Sequence, residues 1–279
     1  VLKKSLHIAR ILSLDVVAGA VISSLFIADY LSVKIPPLYL LALALAVWLI
    51  YTADHLADAR KIKHQAHSSR HRFHQQNFRI LLLSLVSISL AGLYLLLYLP
   101  PMLTLCGVSG IILVGLYFIL IRIFPNSSVF PKEFIISLLY TLGIFLAPMY
   151  VYAAYPQAPL LLIFGQYLLI ALINLLLISW YEREVDLKDG HSSYVLKVGN
   201  KKSRITIRVC VILLYLSVVV GFLLSITDRD LLFSELIILM MGATLHTIAS
   251  KQAHFSVGGR YRSLADAVFC YPLLYIIFF

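Results

Sequence analysis

The sequence predicts an all-α, polytopic membrane helix bundle of about nine transmembrane helices, and three observations carry that prediction. Hydrophobic residues make up 61% of the 279-residue chain, and the mean hydropathy is +0.92, far above the roughly 45–50% apolar content of soluble domains. Apolar stretches of about 18–22 residues, the length needed to cross a bilayer, recur from one end of the chain to the other. The basic residues fall almost wholly on one side of the topology those stretches define.

The first stretch, 12–31, carries Gly19, Ala20, Ser23 and Ser24, a small-residue face suited to close helix packing. No small-residue cleavage site follows it, so it is expected to be a retained helix. The turn Lys34-Ile-Pro-Pro37 leads into 38–57, and the Pro100-Pro101 pair separates 80–99 from 103–121. In 134–153, Tyr140, Gly143 and Pro148 predict a kinked helix beside a cavity. Tyr155-Pro-Gln-Ala-Pro159 precedes 159–181, a long basic loop precedes 207–226, and Thr227-Asp-Arg-Asp230 turns the chain into 232–250. The last stretch is 263–279. The whole of 1–279 reads as one transmembrane domain, with its two chemically rich loops at about 58–79 and 182–206.

With the N-terminus inside, all 23 Lys and Arg except Lys34 and Arg229 lie on the inner face. This bias predicts an integral membrane protein of a bacterial inner (cell) membrane with a cytoplasmic N-terminus. The net charge of +10 then belongs to a surface facing anionic headgroups and anionic substrates in the lipid bilayer, and no nucleic acid is needed to explain it. Cys106, Cys210 and Cys270 have no metal-type spacing and read as packing residues.

Two acidic pairs stand where apolar runs give way to the long inner loops. The first is Asp54 and Asp58, in Trp48-Leu-Ile-Tyr-Thr-Ala-Asp54-His-Leu-Ala-Asp58-Ala-Arg60-Lys61. The second is Glu182 and Asp186, in Glu182-Arg-Glu184-Val-Asp186-Leu-Lys-Asp189-Gly190-His-Ser-Ser193. A four-residue spacing puts both members of a pair on one helix face about a turn apart. Carboxylates at membrane depth are costly, and paired oxygen donors suit Mg²⁺, a hard cation commonly shared with substrate phosphates. The bland reading of either pair alone is an interfacial helix end whose charges snorkel into water.

The first motif, Asp54-x3-Asp58 at the inner end of the second helix, resembles the first aspartate-rich motif of the UbiA superfamily of intramembrane prenyltransferases. Glu182-x3-Asp186-x3-Gly190-x2-Ser193-x5-Gly199 resembles the second. There are two departures. Ile50 and Tyr51 stand where the family's first motif opens with Asn-Asp, and Glu182 stands where an aspartate is usual. The resemblance implies a UbiA-like fold and Mg²⁺-dependent transfer of a prenyl group from a polyprenyl diphosphate to a small lipophilic acceptor. It makes Asp54, Asp58, Glu182 and Asp186 the metal-holding catalytic residues. Arg60, Arg70, Arg72, Lys132, Lys188 and Lys197 become the diphosphate cradle, Arg as a fork and Lys as a point charge. The missing Asn-Asp pair leaves open altered coordination, an unusual substrate, or a non-catalytic relative acting as a transporter or lipid-binding factor. Asp54-x3-Asp58-Ala-Arg60 also bears a superficial likeness to the acidic motif of CDP-alcohol phosphatidyltransferases, but that motif's Asp-Gly step and its later Gly-x3-Asp-x3-Asp are absent.

Weaker signals surround these motifs. His64, His67, His71 and His74 would share one face of a helical loop, and imidazole suits a transition metal. Lys63, Arg70 and Arg72 would repel such a cation, so the loop is expected to face phosphate or headgroups. Asp15 and Asp266 either pair with nearby arginines such as Arg10 and Arg262, the favoured reading, or line the same polar cavity, while Asn174 and His246 are read as interhelical hydrogen bonds or as acceptor-site contacts.

Overall fold

The computed structural model describes residues 8–123, 132–190 and 193–278. Lys3, Lys4 and positions 191–192 of the second loop lie outside the described residues, and so does the side chain of Arg122. The helices are α1 (Leu14–Tyr30), α2 (Pro37–Lys61), α3 (Ser69–Gln76), α4 (Phe78–Leu96), α5 (Pro101–Ile123), α6 (Lys132–Tyr152) and α7 (Ala158–Tyr181). They continue as α8 (Arg183–Asp189), α9 (Tyr194–Val198), α10 (Asn200–Leu224), α11 (Arg229–Ser250), α12 (Gln252–Ser256), α13 (Arg260–Ala267) and α14 (Leu273–Phe278). No strand occurs among the described residues. The protein is all-α, and every apolar stretch picked out in the sequence contains helix.

Seven segments among the described residues are long and apolar enough to cross a membrane, and Pro101–Leu116 is a shorter apolar helix. The outer faces fit lipid: on α4, Ile80, Leu83 and Leu90 are 65%, 68% and 61% exposed. Apolar side chains are left outside in this way only where the surrounding solvent is itself apolar.

The last predicted span, 263–279, is not one helix. Gly258 and Gly259 adopt left-handed φ values of 65° and 67° ahead of α13. Beyond it a 3₁₀ turn, Val268–Cys270, and Pro272 separate α13 from α14. A proline there has no N–H to give and cannot carry an α-helical ladder forward. Helix α6, by contrast, continues through Pro148.

The described residues fall into two compact units. One comprises Val1–Ala18, Pro36–Val129 and Glu184–Ser192, and the other Gly19–Ile35, Phe130–Arg183 and Ser193–Phe279. In the first, α2 packs against α3 and α4. In the second, α7 is central and packs against α6, α10 and α11. Its buried row of Ile163, Tyr167, Ile170, Ile173 and Leu177 follows the three-to-four-residue spacing of one helix face. Polar pins fix its neighbours. Asn174 Nδ2 donates to the Ala265 carbonyl at 2.6 Å and lies 3.4 Å from Asp266 Oδ1, and Tyr181 Oη donates to the Ile248 carbonyl at 2.7 Å. His246 makes the interhelical bond expected of it, with Tyr215 Oη at 3.1 Å.

Candidate functional site

Asp54 and Asp58 both lie on α2, which runs unbroken to Lys61. Their side chains are 44% and 18% exposed. The surrounding charges are arranged in layers. Lys61 Nζ donates to Asp58 Oδ1 at 3.1 Å, and His55 Nδ1 is 3.9 Å from Asp54 Oδ2. On the other edge of that ring, His55 Nε2 accepts from Arg70 Nη1 at 2.9 Å and lies 3.3 Å from Ser13 Oγ. Arg70 Nη2 also reaches the Arg10 carbonyl at 3.4 Å. A nitrogen that accepts from arginine carries no proton, so the proton of a neutral His55 is on Nδ1, the edge toward Asp54. Buried His55 thus stands between Asp54 and Arg70.

Arg70 is held there by the loop after α2. Ser68 caps α3 by accepting from the His71 N–H, which satisfies one of the donors a helix start leaves open. Gln75 then gathers the loop around itself. Its Nε2 donates to the carbonyls of Ala59, Ile62 and His64, and its Oε1 accepts from the Ala66 N–H. Arg72 is exposed, and its Nε donates to the Ala66 carbonyl at 3.2 Å. His74 is buried, and its Nδ1 donates to the Arg70 carbonyl at 2.9 Å. The four loop histidines therefore do not share one face. Only His71 and His74 lie on α3, whereas His64 and His67 lie ahead of it.

The second acidic segment is built differently. Glu182 is the C-cap of α7, at φ −91° and ψ 4°, and Asp186 stands in the separate short helix α8. The four-residue spacing therefore straddles a break and does not mark one continuous helix face. Glu182 is already engaged: Tyr261 Oη donates to Oε1 at 2.8 Å and Arg262 Nη2 donates to Oε2 at 2.6 Å. The Tyr261 ring lies flat on Tyr181 at 4.3 Å. Gly190 and Gly199 have φ values of +71° and +85°. A side chain at either position would strain a backbone that glycine adopts freely. Gly190 follows the end of α8, and Gly199 sits at the N-cap of α10.

Asp189, at the end of α8, is buried. Both of its oxygens accept the His67 N–H at 3.2 Å, and Oδ1 is 2.7 Å from His67 Nδ1. Burial alone would raise the Asp189 pKa, but the bonds from His67 and from the Ser68 N–H hold it below the ordinary carboxylate range.

The first unit thus contains Asp54, Asp58, Arg60, Arg70, Arg72, Asp186 and Lys188, and the second contains Lys132, Glu182 and Lys197. Arg60, Lys188 and Lys197 are exposed, and Lys132 opens α6. Sequence reasoning overlooked His55, Gln75, Asp189 and Glu133 as organisers. Glu133 is 3% exposed and its Oε1 accepts from the Tyr194 N–H at 2.8 Å, which ties α6 to the residue after Ser193. His55 was detectable, because it sits inside the first motif between the two aspartates.

No protein-family model matches the chain, and no curated protein matches it in sequence. Its three-dimensional arrangement does match. The chain is similar to a UbiA homolog from Archaeoglobus fulgidus bound to DMAPP and Mg²⁺, with a TM-score of 0.63 and 13% identity over 97% of this chain and 99% of that one. It is also similar to a digeranylgeranylglyceryl phosphate synthase, with a TM-score of 0.52 and 18% identity over 94% of this chain and 89% of that one. The protein is an integral membrane protein with a UbiA-like helical fold, the architecture that its two acidic motifs imply.

Proposed function

We propose that the protein transfers a prenyl group from a polyprenyl diphosphate to a small lipophilic acceptor within the membrane, in a Mg²⁺-dependent reaction. The observation that supports this best is the pair Asp54 and Asp58, two part-exposed carboxylates one turn apart on an unbroken helix. They stand in a fold shared with a homolog bound to DMAPP and Mg²⁺. Carboxylate oxygens fit a hard cation. Asp54, Asp58 and Asp186, all in one compact unit, would hold it, while the oxygens of Glu182 are already occupied by Tyr261 and Arg262. When bound, Mg²⁺ supplies the positive charge that makes diphosphate a good leaving group.

The chain's own residues do the rest. Arg70, set in place by His55 and the Arg10 carbonyl, offers a pre-oriented guanidinium to the diphosphate. Arg60, Arg72 and Lys188, in the same compact unit as Arg70, add charge around it. The apolar helices hold the prenyl tail away from water, which favours capture of the allylic cation by the acceptor over hydrolysis. The allylic C–O bond breaks with its electron pair leaving on the diphosphate, the acceptor bonds to the allylic carbon, and the acceptor then loses a proton. The orientation that suits this chemistry places the N-terminus and both acidic segments on the cytoplasmic side of a cell inner membrane.

The test is Mg²⁺-dependent binding and turnover of labelled prenyl diphosphate by the protein in liposomes. Asp54→Asn is expected to lower transfer by about 10²-fold or more. Unchanged binding and transfer in Asp54→Asn or Asp186→Asn would show the assignment to be wrong. A lipid extract of cells with and without the protein then identifies the acceptor by the prenylated product that disappears.

One observation favours a second reading, a non-catalytic lipid-binding factor or transporter. Where the family pattern has Asn-Asp, Ile50 is an apolar residue 37% exposed and the Tyr51 ring packs edge-on against His55 at 6.1 Å. Mg²⁺-dependent diphosphate binding without turnover would select this reading.

A further inference from the structure

A second group of metal-ligating side chains is gathered in the loop after α2. One ring nitrogen each of His64 and His67 and a carboxylate oxygen of Asp189 lie within 4.8 Å of one another, brought together from the loop after α2 and the end of α8. We propose that His64, His67 and Asp189 form a binding site for a divalent transition-metal ion of the zinc type, which clips that loop to α8. The site is distinct from the carboxylates assigned to Mg²⁺ and does not depend on prenyl transfer.

The donor set is the first argument. Two imidazoles and one carboxylate select zinc-like ions over Mg²⁺, and three protein ligands leave a fourth position for water. Preorganisation is the second. The Asp189 side chain is fully buried, and both its oxygens are oriented by the His67 N–H at 3.2 Å. His64 Nε2 is 3.2 Å from the Lys188 carbonyl, which holds that ring against the residue next to Asp189. Contacts of this type, made by ligand side chains to carbonyls and amides, orient metal ligands. The His64 and His67 rings stand perpendicular with centroids 5.2 Å apart. An ion bonded at about 2.1 Å requires its ligands to be within about 4.2 Å of one another. Tetrahedral geometry brings them closer, to about 3.4 Å, so the site closes when the exposed His64 and His67 rings move by about an ångström.

The cations that argue against a metal in the sequence are turned elsewhere. Arg70 reaches His55 and the Arg10 carbonyl, and Arg72 Nε reaches the Ala66 carbonyl. Lys63 and Lys188 are exposed and can extend into water. Binding would replace the proton now shared between His67 Nδ1 and Asp189 Oδ1 at 2.7 Å, so the ion takes the place of an existing cross-link between the two segments.

The test uses the full-length protein in detergent, free of any histidine tag, titrated with Co²⁺ as a spectroscopic probe and then with Zn²⁺ as competitor. One equivalent of Co²⁺ should give the visible bands of a four-coordinate nitrogen and oxygen site, and Zn²⁺ should displace it. His64→Gln, His67→Gln and Asp189→Asn should each weaken binding by more than about 100-fold, while the double variant Asp54→Asn with Asp58→Asn should bind Co²⁺ as before. Because His64 is exposed, His64→Gln should keep the wild-type elution profile while losing the rise in thermal midpoint that Zn²⁺ gives the wild type. Absence of stoichiometric Co²⁺ binding by the wild type would overturn the proposal, and so would binding unchanged in all three single variants or lost only in the Asp54/Asp58 double variant. Diphosphate binding is not measured in this experiment, so its failure leaves the prenyl-transfer reading standing.

Discussion

Asp54 and Asp58 occupy one unbroken helix and keep part of their surface open, whereas Glu182 and Asp186, with the same spacing, are separated by the end of α7 and the start of α8. The partners differ as well. Asp58 meets a lysine whose side chain is 59% exposed, a type of pair worth little in water. Glu182 is gripped by Arg262 and Tyr261 in a setting where both charged side chains are only about one-fifth exposed. A four-residue spacing therefore carries its usual meaning only where the helix continues. The first segment keeps both carboxylates on one helix, and the second spends one carboxylate on fastening α7 to α13.

The largest expected effect would break this asymmetry if it fails. Asp54→Asn and Asp58→Asn should each lower Mg²⁺-dependent transfer by about 10²–10³-fold, and Glu182→Gln by only about tenfold, because it disturbs an anchor and not an open ligand. Equal losses for all three, measured as kcat/KM with one prenyl diphosphate, would show that Glu182 is a ligand of the same rank.

The anchor itself should show up in stability. Arg262→Ala leaves Glu182 without its charged donor and should cost about 1–3 kcal/mol of unfolding free energy in detergent. A double-mutant cycle with Glu182→Gln should then return a coupling of similar size. Additive effects would mean that the 2.6 Å contact contributes nothing. Gly199→Ala should cost somewhat less, about 1–2 kcal/mol, because alanine at φ +85° pays for left-handed backbone. No comparable penalty is expected for Ala57→Gly on α2, where loss of helix propensity sets a limit of about 1 kcal/mol.

How much of this was legible in the chain follows from what each feature depends on. Apolar runs mark membrane helices because a bilayer leaves the backbone no other way to satisfy its hydrogen bonds, so the helical segments could be placed within a few residues. Gly190 and Gly199 were legible through the motif, and their left-handed φ values give the physical reason for glycine. The apolar stretch was read to end at 181, but that Glu182 and Asp186 fall on two different helices was not legible in the four-residue spacing. Nor were the partners of Glu182, Tyr261 and Arg262, some eighty residues away. In the same way, that Arg262 donates to Glu182 and that Asn174 lies beside Asp266 could not be read from the chain. The loop histidines also divided on a tertiary ground. His74 follows α3 into the interior, and His67 turns to Asp189, a residue 122 positions further along.

The smallest effect separates the two regions by their response to acid. His74, buried on α3, has its pKa pushed below 6.5 by burial and by the nearby Arg70 charge, against the bond its Nδ1 makes to the Arg70 carbonyl. The other groups around it are the His55 ring at 5.2 Å and the Phe73 ring at 6.0 Å. The folded protein keeps His74 neutral where the unfolded chain takes up a proton. The stability this provides is therefore complete above about pH 6.5, falls as pH drops below that value, and stops falling below the depressed pKa. Glu182 has only arginine and tyrosine partners among the bonds described, and neither titrates near neutrality. Hydrogen–deuterium exchange, corrected for its intrinsic pH dependence, should show protection of α3 weakening between about pH 7.5 and about pH 5.5 while protection of α13 holds. His74→Gln can still donate to the Arg70 carbonyl but does not titrate, and should flatten the α3 response. An α3 response that survives His74→Gln would show that His74 is not its source, and a matching response in α13 would remove the distinction between the two segments.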